Sequence, residues 1–116
     1  MNALFILNDP PYGTERSYNG LRLAHALAKR EGHQVRVFLI GDAAAAAKAG
    51  QKVPSGYYSI ERMLAAVTRR DGKVGVCGTC MDARGLSDAD LVGDAHRSSM
   101  DELTDWTLWA DRVITF

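Results

Sequence analysis

Residues 3–40, ALFILNDPPYGTERSYNGLRLAHALAKREGHQVRVFLI, decide the fold, because two strand-like runs flank one helix-like segment. The run at residues 3–7 is wholly apolar and too short for a helix, and residues 34–40 are rich in β-branched and aromatic side chains. Between them, apolar side chains recur at helical spacing, Thr14 is a candidate N-cap and Gly32 a stop. The stretch therefore predicts one strand–helix–strand unit.

The rest of the chain repeats this alternation. Residues 73–76 and 112–116 have the composition of strands. One helix is predicted after the candidate cap Ser59, and another after the capping box Ser99-x-x-Glu102. Strands that alternate with helices, together with the apolar first strand, predict a three-layer α/β/α domain with a mostly parallel sheet of four to five strands.

Two shorter segments complete the predicted topology. The tract DAAAAAKAG at residues 42–50 predicts a helix, because alanine favours this structure and Asp42 and Gly50 suit its two ends. Residues 91–95 predict a short fifth strand. No repeat or linker divides the chain, so we expect a single domain over residues 1–116.

The charge balance excludes two classes of partner. The 116 residues include 14 basic and 14 acidic side chains, and 47% are hydrophobic. Nucleic acids and anionic membranes are bound through clustered Lys and Arg, so we expect neither as a partner. The first residues contain no basic segment, and the chain has no apolar run near the length of about 20 residues that spans a membrane. We therefore expect a cytoplasmic protein.

The two cysteines of the chain lie three residues apart in GKVGVCGTCMDARGL, residues 72–86. If the run before them is a strand, Cys77 lies at the carboxyl edge of the sheet, where ligands gather in such folds. We interpret residues 77–85 as the connection from this strand to a brief helix. Gly78 leaves the sulfur uncrowded, and loop N–H groups with Arg84 should lower the pKa of the thiol. The pattern favours a reactive thiolate.

Four interpretations of this cysteine pair remain open. A zinc site needs about four ligands, and only His25, His33 and His96 remain as the usual partners, so we expect no metal and no cofactor. A thioredoxin-like dithiol fits the spacing, although there the first cysteine opens a long helix, which the glycine and the Arg-Gly step would break here. Both cysteines could also be small buried hydrophobes. The fourth interpretation is sulfur transfer.

Two further segments are predicted to approach the cysteines. Asn8, Asp9 and Tyr12 follow the first strand and should overhang the same crevice. His96 and Arg97 precede the last helix, where the helix start and the guanidinium group could hold an anion. The alternatives are a rigid turn for the first segment and simple serine capping for the second.

The last helix carries more apolar surface than one face can bury. Trp106, Leu108 and Trp109 do not share a single stripe at helical spacing. At least one of them should lie in a contact between subunits.

The motifs together resemble the DsrE/TusD/YchN-like (DsrE/DsrF-like) family. A strand ending in Val-x-Val-Cys, then a glycine, small residues and Ala-Arg-Gly-Leu, is similar to the family's active-site segment, and the Cys-Gly-Thr-Cys form resembles its single-gene branch. Residues 8–27 and 109–116 (WADRVITF) extend the resemblance over nearly the whole chain. The family's cysteine receives and passes on sulfane sulfur as a persulfide. The resemblance places this role at Cys77, eight residues before Gly85, and makes Cys80 the additional cysteine.

This resemblance implies a DsrE-like fold, a homotrimer or homohexamer, and protein donors and acceptors of sulfur. The implied function is that of a sulfur carrier, or a sulfurtransferase-like enzyme if the chain is catalytic. Cys80 could resolve the persulfide of Cys77 by forming a disulfide. The alternatives are a non-catalytic oligomeric binding module for a small anionic or nucleotide-like ligand and a CxxC dithiol redox protein.

Overall fold

A computed structural model describes all 116 residues and shows strands and helices in alternation. In chain order they are β1 (Asn2–Leu7), α1 (Arg16–Ala28), β2 (Gln34–Leu39), α2 (Ile60–Arg69), β3 (Lys73–Cys77), α3 (Gly78–Ala83), β4 (His96–Ser98), α4 (Met100–Trp109) and β5 (Arg112–Thr115). The predicted α/β class is confirmed. No helix is both long enough and apolar enough to cross a membrane.

The five strands form one sheet in the order β4-β3-β2-β1-β5, and each of its four pairings is parallel. β1 has a neighbour on both sides, which explains its continuous apolar run, since an interior parallel strand is covered on both faces. Its side chains Ala3, Leu4, Phe5 and Leu7 are fully buried. Because all strands point the same way, the residues that follow them meet at one edge.

Helices cover the two faces of this sheet unequally. The larger core contains 19 buried residues, among them Leu21 of α1, Leu64 of α2 and Met81 of α3. The smaller core lies under α4 and contains only Leu4, Phe38, Leu103 and Trp106. The three-layer arrangement is therefore present, with one thick and one thin helical layer.

Two predicted elements differ from those observed. The fifth strand is β4 rather than residues 91–95, because the chain still turns through Gly93, whose φ is +52°. The alanine-rich tract forms a 3₁₀ helix over Gly41–Ala47 instead of an α-helix over residues 42–50. Four of its alanines are buried, so packing decides its geometry in place of helix propensity.

Two of the four predicted N-caps are confirmed; Asp42 is not a cap, because the 3₁₀ helix begins at Gly41 and has no side-chain cap. Ser59 Oγ accepts a hydrogen bond from the Arg62 N–H (3.3 Å) at the start of α2, and Ser99 Oγ caps α4 by accepting from the N–H three residues on (3.2 Å). Thr14 does not cap α1. Its hydroxyl donates to Asp9 Oδ2 (2.8 Å), and the helix begins at Arg16.

Candidate functional site

Cys77 is the last residue of β3 and lies at the carboxyl edge of the sheet, as the sequence predicts. It pairs in register with Ser98 of β4. The predicted connection over residues 77–85 is wrong in one respect, because α3 begins immediately at Gly78. Cys77 therefore stands at the junction of a strand and a short helix, with its thiol half-buried.

A crevice of about 370 Å³ opens beside this thiol, and we call it the Cys77 crevice. The start of α3 forms one wall, and the end of β4 with the start of α4 forms the other. Its lining consists of Cys77, Gly78, Thr79, Arg97, Ser98, Ser99 and Met100. The crevice is thus closed by two segments that are distant in sequence.

Gly78 allows these two walls to approach each other closely. A Cβ atom at this position would lie 3.0 Å from Cζ and Nε of Arg97 and 3.0 Å from the carbonyl oxygen of Ser98. Contacts this short would force β4 and the guanidinium group away from α3. The glycine is therefore needed for close packing of the crevice walls.

The environment of Cys77 favours its thiolate. Burial raises the pKa of this thiol, but hydrogen bonds from the side chains of Cys80 and Thr79, and from their backbone N–H groups, outweigh burial and leave the pKa below its ordinary value. The Thr79 hydroxyl lies 3.4 Å from Cys77 Sγ. Donors at the start of a helix stabilise a thiolate in this way.

Cys80 has the opposite character. Burial and the hydrogen bond to Cys77 raise its pKa, although the N–H of Gly41 donates to its sulfur (N to Sγ 3.2 Å). Cys80 packs against the large core and Cys77 against the small one. Cys77 is therefore the thiol that ionises first, and Cys80 is its hydrogen-bond donor.

The two arginines predicted for the site are both paired with carboxylates. Arg97 lines the crevice, and its two terminal nitrogens donate to the two oxygens of Asp82 at 2.9 and 2.8 Å. Arg84 lies beside Cys80, where it donates to the carbonyl oxygen of that residue (3.1 Å) and to Asp42 Oδ1 (2.6 Å). Arg84 does not line the crevice, in contrast to its predicted role at Cys77.

Asn8, Asp9 and Tyr12 do not reach the crevice. They follow β1, which β2 separates from β3, and two strand spacings amount to about 10 Å. Asn8 Nδ2 donates to the carbonyl oxygen of Phe116 (3.0 Å), and the Tyr12 hydroxyl accepts from the N–H of Ile60 (3.1 Å). Asp9 faces the start of α1. These contacts assign the three residues to positions away from the thiol.

His96 also lies outside the crevice lining. Its Nε2 contacts Glu102, and its ring meets the edge of Trp106, with centroids 5.9 Å apart. The Ser98 hydroxyl donates to the same carboxylate (2.6 Å). Burial raises the pKa of Glu102, but these hydrogen bonds outweigh it and lower the pKa overall. These contacts between β4 and α4 hold the two elements together and so support one wall of the crevice.

The profile of the DsrE/DsrF-like family matches the chain over residues 1–116. The chain belongs to this family. Within it, protein YchN of Escherichia coli (strain K12) is 41% identical over 114 residues, which cover 97% of each chain. The crystal structure of YchN from E. coli matches the fold with a TM-score of 0.90 over 100% of both chains. The uncharacterized protein MK0008 of Methanopyrus kandleri is 35% identical over 111 residues, which cover 96% of this chain and 90% of that protein.

In this DsrE/DsrF-like chain, the sequence patterns do not indicate two of the carboxylates near the thiols. Asp82 has no motif of its own, Asp42 is predicted only as a helix cap, and their arginine partners lie 15 and 42 residues away. Only the fold brings these charges together. The chain contains no group of three or more His, Cys, Asp and Glu side chains arranged to hold a metal ion.

Replacing Cys80 should change the reactivity of Cys77 through the donated hydrogen bond. We expect Cys80→Ala to slow the alkylation of Cys77 at pH 7 about two- to tenfold, because one donor to the thiolate is lost. The midpoint of the pH–rate profile, which reports the pKa of the thiol, should rise. Alkylation quenched at timed intervals between pH 6 and about 10, and followed by mass spectrometry, measures both the rate and the midpoint of the pH–rate profile.

Two matched variants accompany this measurement. Cys80→Ser restores a hydroxyl donor and should remain near the wild-type midpoint, whereas Arg84→Ala should leave the midpoint unchanged because Arg84 contacts Cys80 and Asp42 instead. An equal midpoint in Cys80→Ala and wild type would show that the hydrogen bond does not tune the thiol.

Proposed function

We propose that this protein is a sulfur carrier that receives sulfane sulfur as a persulfide on Cys77 and passes it to an acceptor thiol. The observation that carries the proposal is the Cys77 thiol itself, which borders an open crevice and has a lowered pKa. Membership of the DsrE/DsrF-like family supports a role in sulfur relay. Protein donors and acceptors of sulfur are the partners that this proposal requires.

The transfer consists of two exchange reactions at sulfur. The Cys77 thiolate attacks the outer sulfur of a donor persulfide, the S–S bond of the donor breaks, and the donor leaves as a thiolate. An acceptor thiolate then attacks the terminal sulfur of the Cys77 persulfide, takes that sulfur, and regenerates the Cys77 thiolate. Each step moves one sulfane sulfur from one thiolate to another, so neither step needs an external oxidant or reductant.

Cys80 offers an alternative fate for the persulfide. Its thiolate can attack the inner sulfur, which forms a Cys77–Cys80 disulfide and releases hydrosulfide. The raised pKa of Cys80 opposes this attack at neutral pH, because it keeps the attacking thiolate scarce. The environment therefore favours relay over discharge.

Intact-mass spectrometry tests the proposal directly. After exposure to a low-molecular-weight persulfide and removal of the excess, the wild-type chain should gain one sulfur, about 32 Da, and lose it on addition of an acceptor thiol. Prior alkylation of Cys77 should prevent the gain. A chain whose mass does not change with the donor, although its Cys77 remains free for alkylation, would contradict the proposed function.

A dithiol redox function is the second candidate, and one observation favours it. α3 begins directly after Cys77, so that the first cysteine precedes a helix and the second lies within its first turn, as a CxxC redox pair requires. Equilibration with glutathione buffers distinguishes the candidates. These buffers contain no sulfane sulfur, so they test the thiol pair alone: a redox protein should pass between dithiol and disulfide as the glutathione ratio changes, whereas a carrier should keep Cys77 and Cys80 reduced across the same range.

The anion-binding module has less support. Such a module needs cationic groups that are free to meet the ligand. Both arginines predicted for this role, Arg84 and Arg97, already donate to carboxylates.

We also propose that the chain assembles as a homotrimer or homohexamer. Trp106 is buried and Trp109 is half-buried, with the guanidinium carbon of Arg36 3.9 Å from the centroid of its ring. The surplus apolar surface is instead that of Leu108, which is 81% exposed, together with the exposed side chain of Val113. A contact between copies of the chain would cover this surface.

Placing a charge at Leu108 should dissociate the oligomer. The variant Leu108→Lys puts an ammonium group into the proposed contact, and an unpaired buried charge costs several kcal/mol. Size-exclusion chromatography with light scattering measures the mass. Thr107→Lys is the matched control, since it adds the same charge at an exposed position about 100° away around α4. A wild-type protein that is monomeric at micromolar concentration would contradict the proposed assembly.

A further inference from the structure

The Cys77 crevice has one cationic side chain in its lining, and that charge is already engaged. Arg97 lies against Gly78, and both of its terminal nitrogens donate to the carboxylate of Asp82 on α3. A bidentate arginine–carboxylate pair uses the same parallel donors that would otherwise receive a phosphate, sulfonate or other oxyanion. An anion that enters the crevice therefore meets a neutralised guanidinium group.

The charges around Arg97 agree with this description. Hydrogen bonding of the Arg97 guanidinium group to the Asp82 carboxylate is the largest contribution that raises the pKa of Arg97, and Asp88 and the thiolate of Cys77 add smaller ones. All three of these charged neighbours of Arg97 are negative. The pair Arg84–Asp42 lies on the Cys80 side and adds no free cation.

We propose that Asp82 is a specificity-determining residue, which occupies Arg97 and so closes the Cys77 crevice to small anionic sulfur compounds such as thiosulfate. The inference rests on the proposed function only in taking Cys77 as the reacting group. It names the substrate class that the site rejects, and it leaves thiol-bound persulfides, which do not depend on a free guanidinium group, as the donors.

Because the Asp82–Arg97 ion pair is partly exposed, Asp82 can be replaced without disturbing the fold. The carboxylate is 62% exposed and the guanidinium group 39% exposed, and ion pairs at such exposure contribute little to stability. Asp82→Asn should therefore fold normally, keep the shape of the side chain, and leave Arg97 with an unbalanced positive charge beside the thiol. Its effect on the crevice is electrostatic.

The charge of Arg97 beside Cys77 can be measured with two reagents that alkylate the thiolate by the same reaction. Iodoacetate and iodoacetamide both form a sulfur–carbon bond with Cys77 and release iodide, but only iodoacetate is anionic. The ratio of their rates cancels any change in the thiolate fraction. In a Cys80→Ser background, which leaves one thiol, Asp82→Asn should raise the iodoacetate-to-iodoacetamide ratio about three- to fivefold at low salt.

Three controls make the measurement specific. Asp82→Glu retains the charge and should keep the ratio of the background protein. Asp42→Asn removes the same charge from the pair with Arg84, outside the crevice, and should change the ratio much less. The double variant Asp82→Asn/Arg97→Gln should lose the gain, since the cation responsible for it is gone. A ratio that Asp82→Asn does not raise, or that Asp42→Asn raises equally, would overturn the proposal.

A second test needs no substitution at Asp82 and measures how the rate ratio of the two reagents changes with salt concentration. Because the crevice of the Cys80→Ser protein carries no free cation, the rate ratio should not fall between low salt and 1 M salt, at which the Debye length is about 3 Å; it should rise modestly, since salt screens the repulsion between iodoacetate and the Cys77 thiolate. A ratio that falls steeply with salt would show that Arg97 is free, and would overturn the proposal even if Asp82→Asn does not fold.

The outcome for Asp82 is separable from the outcome for sulfur transfer. If Cys77 gains sulfur from a persulfide but Asp82→Asn does not change the iodoacetate-to-iodoacetamide rate ratio, the sulfur-carrier function stands and the inference about Asp82 fails. If the ratio responds as expected but no sulfur is gained, Asp82 controls the charge of the crevice and the sulfur-carrier function fails.

Discussion

Cys77→Ser should abolish the gain of sulfur completely. The hydroxyl of serine has nearly the shape of the thiol, but it is not ionised at neutral pH and is not a nucleophile toward sulfur, whereas hydrogen bonding at the start of α3 lowers the pKa of the Cys77 thiol. After treatment with a persulfide donor, intact-mass spectrometry should show the unmodified mass for the variant and one added sulfur for wild type.

Cys80→Ser is the matched control for this experiment. It removes the second sulfur and preserves a hydrogen-bond donor, and it should gain one sulfur as wild type does. The two substituted positions lie three residues apart. Cys77 packs against the small core, whereas Cys80 packs against the large one. If Cys77→Ser gains sulfur and Cys80→Ser does not, the assignment of the carrier cysteine is reversed.

The fate of the bound sulfur distinguishes relay from discharge in the same samples. Without an acceptor, a Cys77 persulfide should persist in both wild type and Cys80→Ser, because the raised pKa of Cys80 limits its attack. Conversion of wild type alone to a chain about 2 Da lighter than the reduced protein would show the internal disulfide and release of hydrosulfide. Cys80 would then be a resolving cysteine.

The sequence predicts those parts of the fold that depend on local pattern. β1 contains a continuous apolar run, β2 is rich in β-branched and aromatic side chains, and the caps Ser59 and Ser99 are set by one side chain and one nearby N–H group. Parallel pairing then places Cys77 at the carboxyl edge of the sheet without further information. These features were predictable because their causes lie within a few residues of each other.

The features that the sequence does not predict depend on contacts across the fold. The 3₁₀ geometry of Gly41–Ala47 follows from burial of its alanines, and the pairing of Arg97 with Asp82 follows from the close approach of β4 to α3 over Gly78. A free Arg97 and a paired Arg97 have the same sequence signature. The pairing that sets the charge of the crevice becomes visible only in three dimensions.

The same distinction applies to the tryptophans of α4. The sequence predicts that one of three apolar side chains must be exposed, and the structure identifies Leu108. Trp106 is 3% exposed and contacts the edge of Phe38, with ring centroids 6.1 Å apart and the rings at 90°. A charge at Trp106 would therefore disrupt folding and would not report on assembly.

Trp106→Ala should destabilise the protein by about 3–5 kcal/mol, a large part of the stability of about 5–15 kcal/mol that is typical of a small domain. Trp106 is one of the four buried residues that form the small core between α4 and the sheet. Its ring lies over Gly75, where a Cβ atom would be 3.1 Å from Cη2. The cavity left by alanine cannot be filled from that side, because Gly75 has no side chain.

The loss should be concentrated in α4 because no other helix covers this face of the sheet. Urea unfolding monitored by circular dichroism measures the free energy of unfolding, and Asp105→Ala is the matched control, expected to change it by less than about 0.5 kcal/mol since Asp105 is an exposed residue of α4. Ser99 and Met100, at the start of α4, form part of the crevice wall. Loosening of α4 should therefore also increase the rate at which iodoacetamide reaches Cys77. A Trp106→Ala protein that loses less than about 1 kcal/mol would show that the thin layer is not held by this side chain.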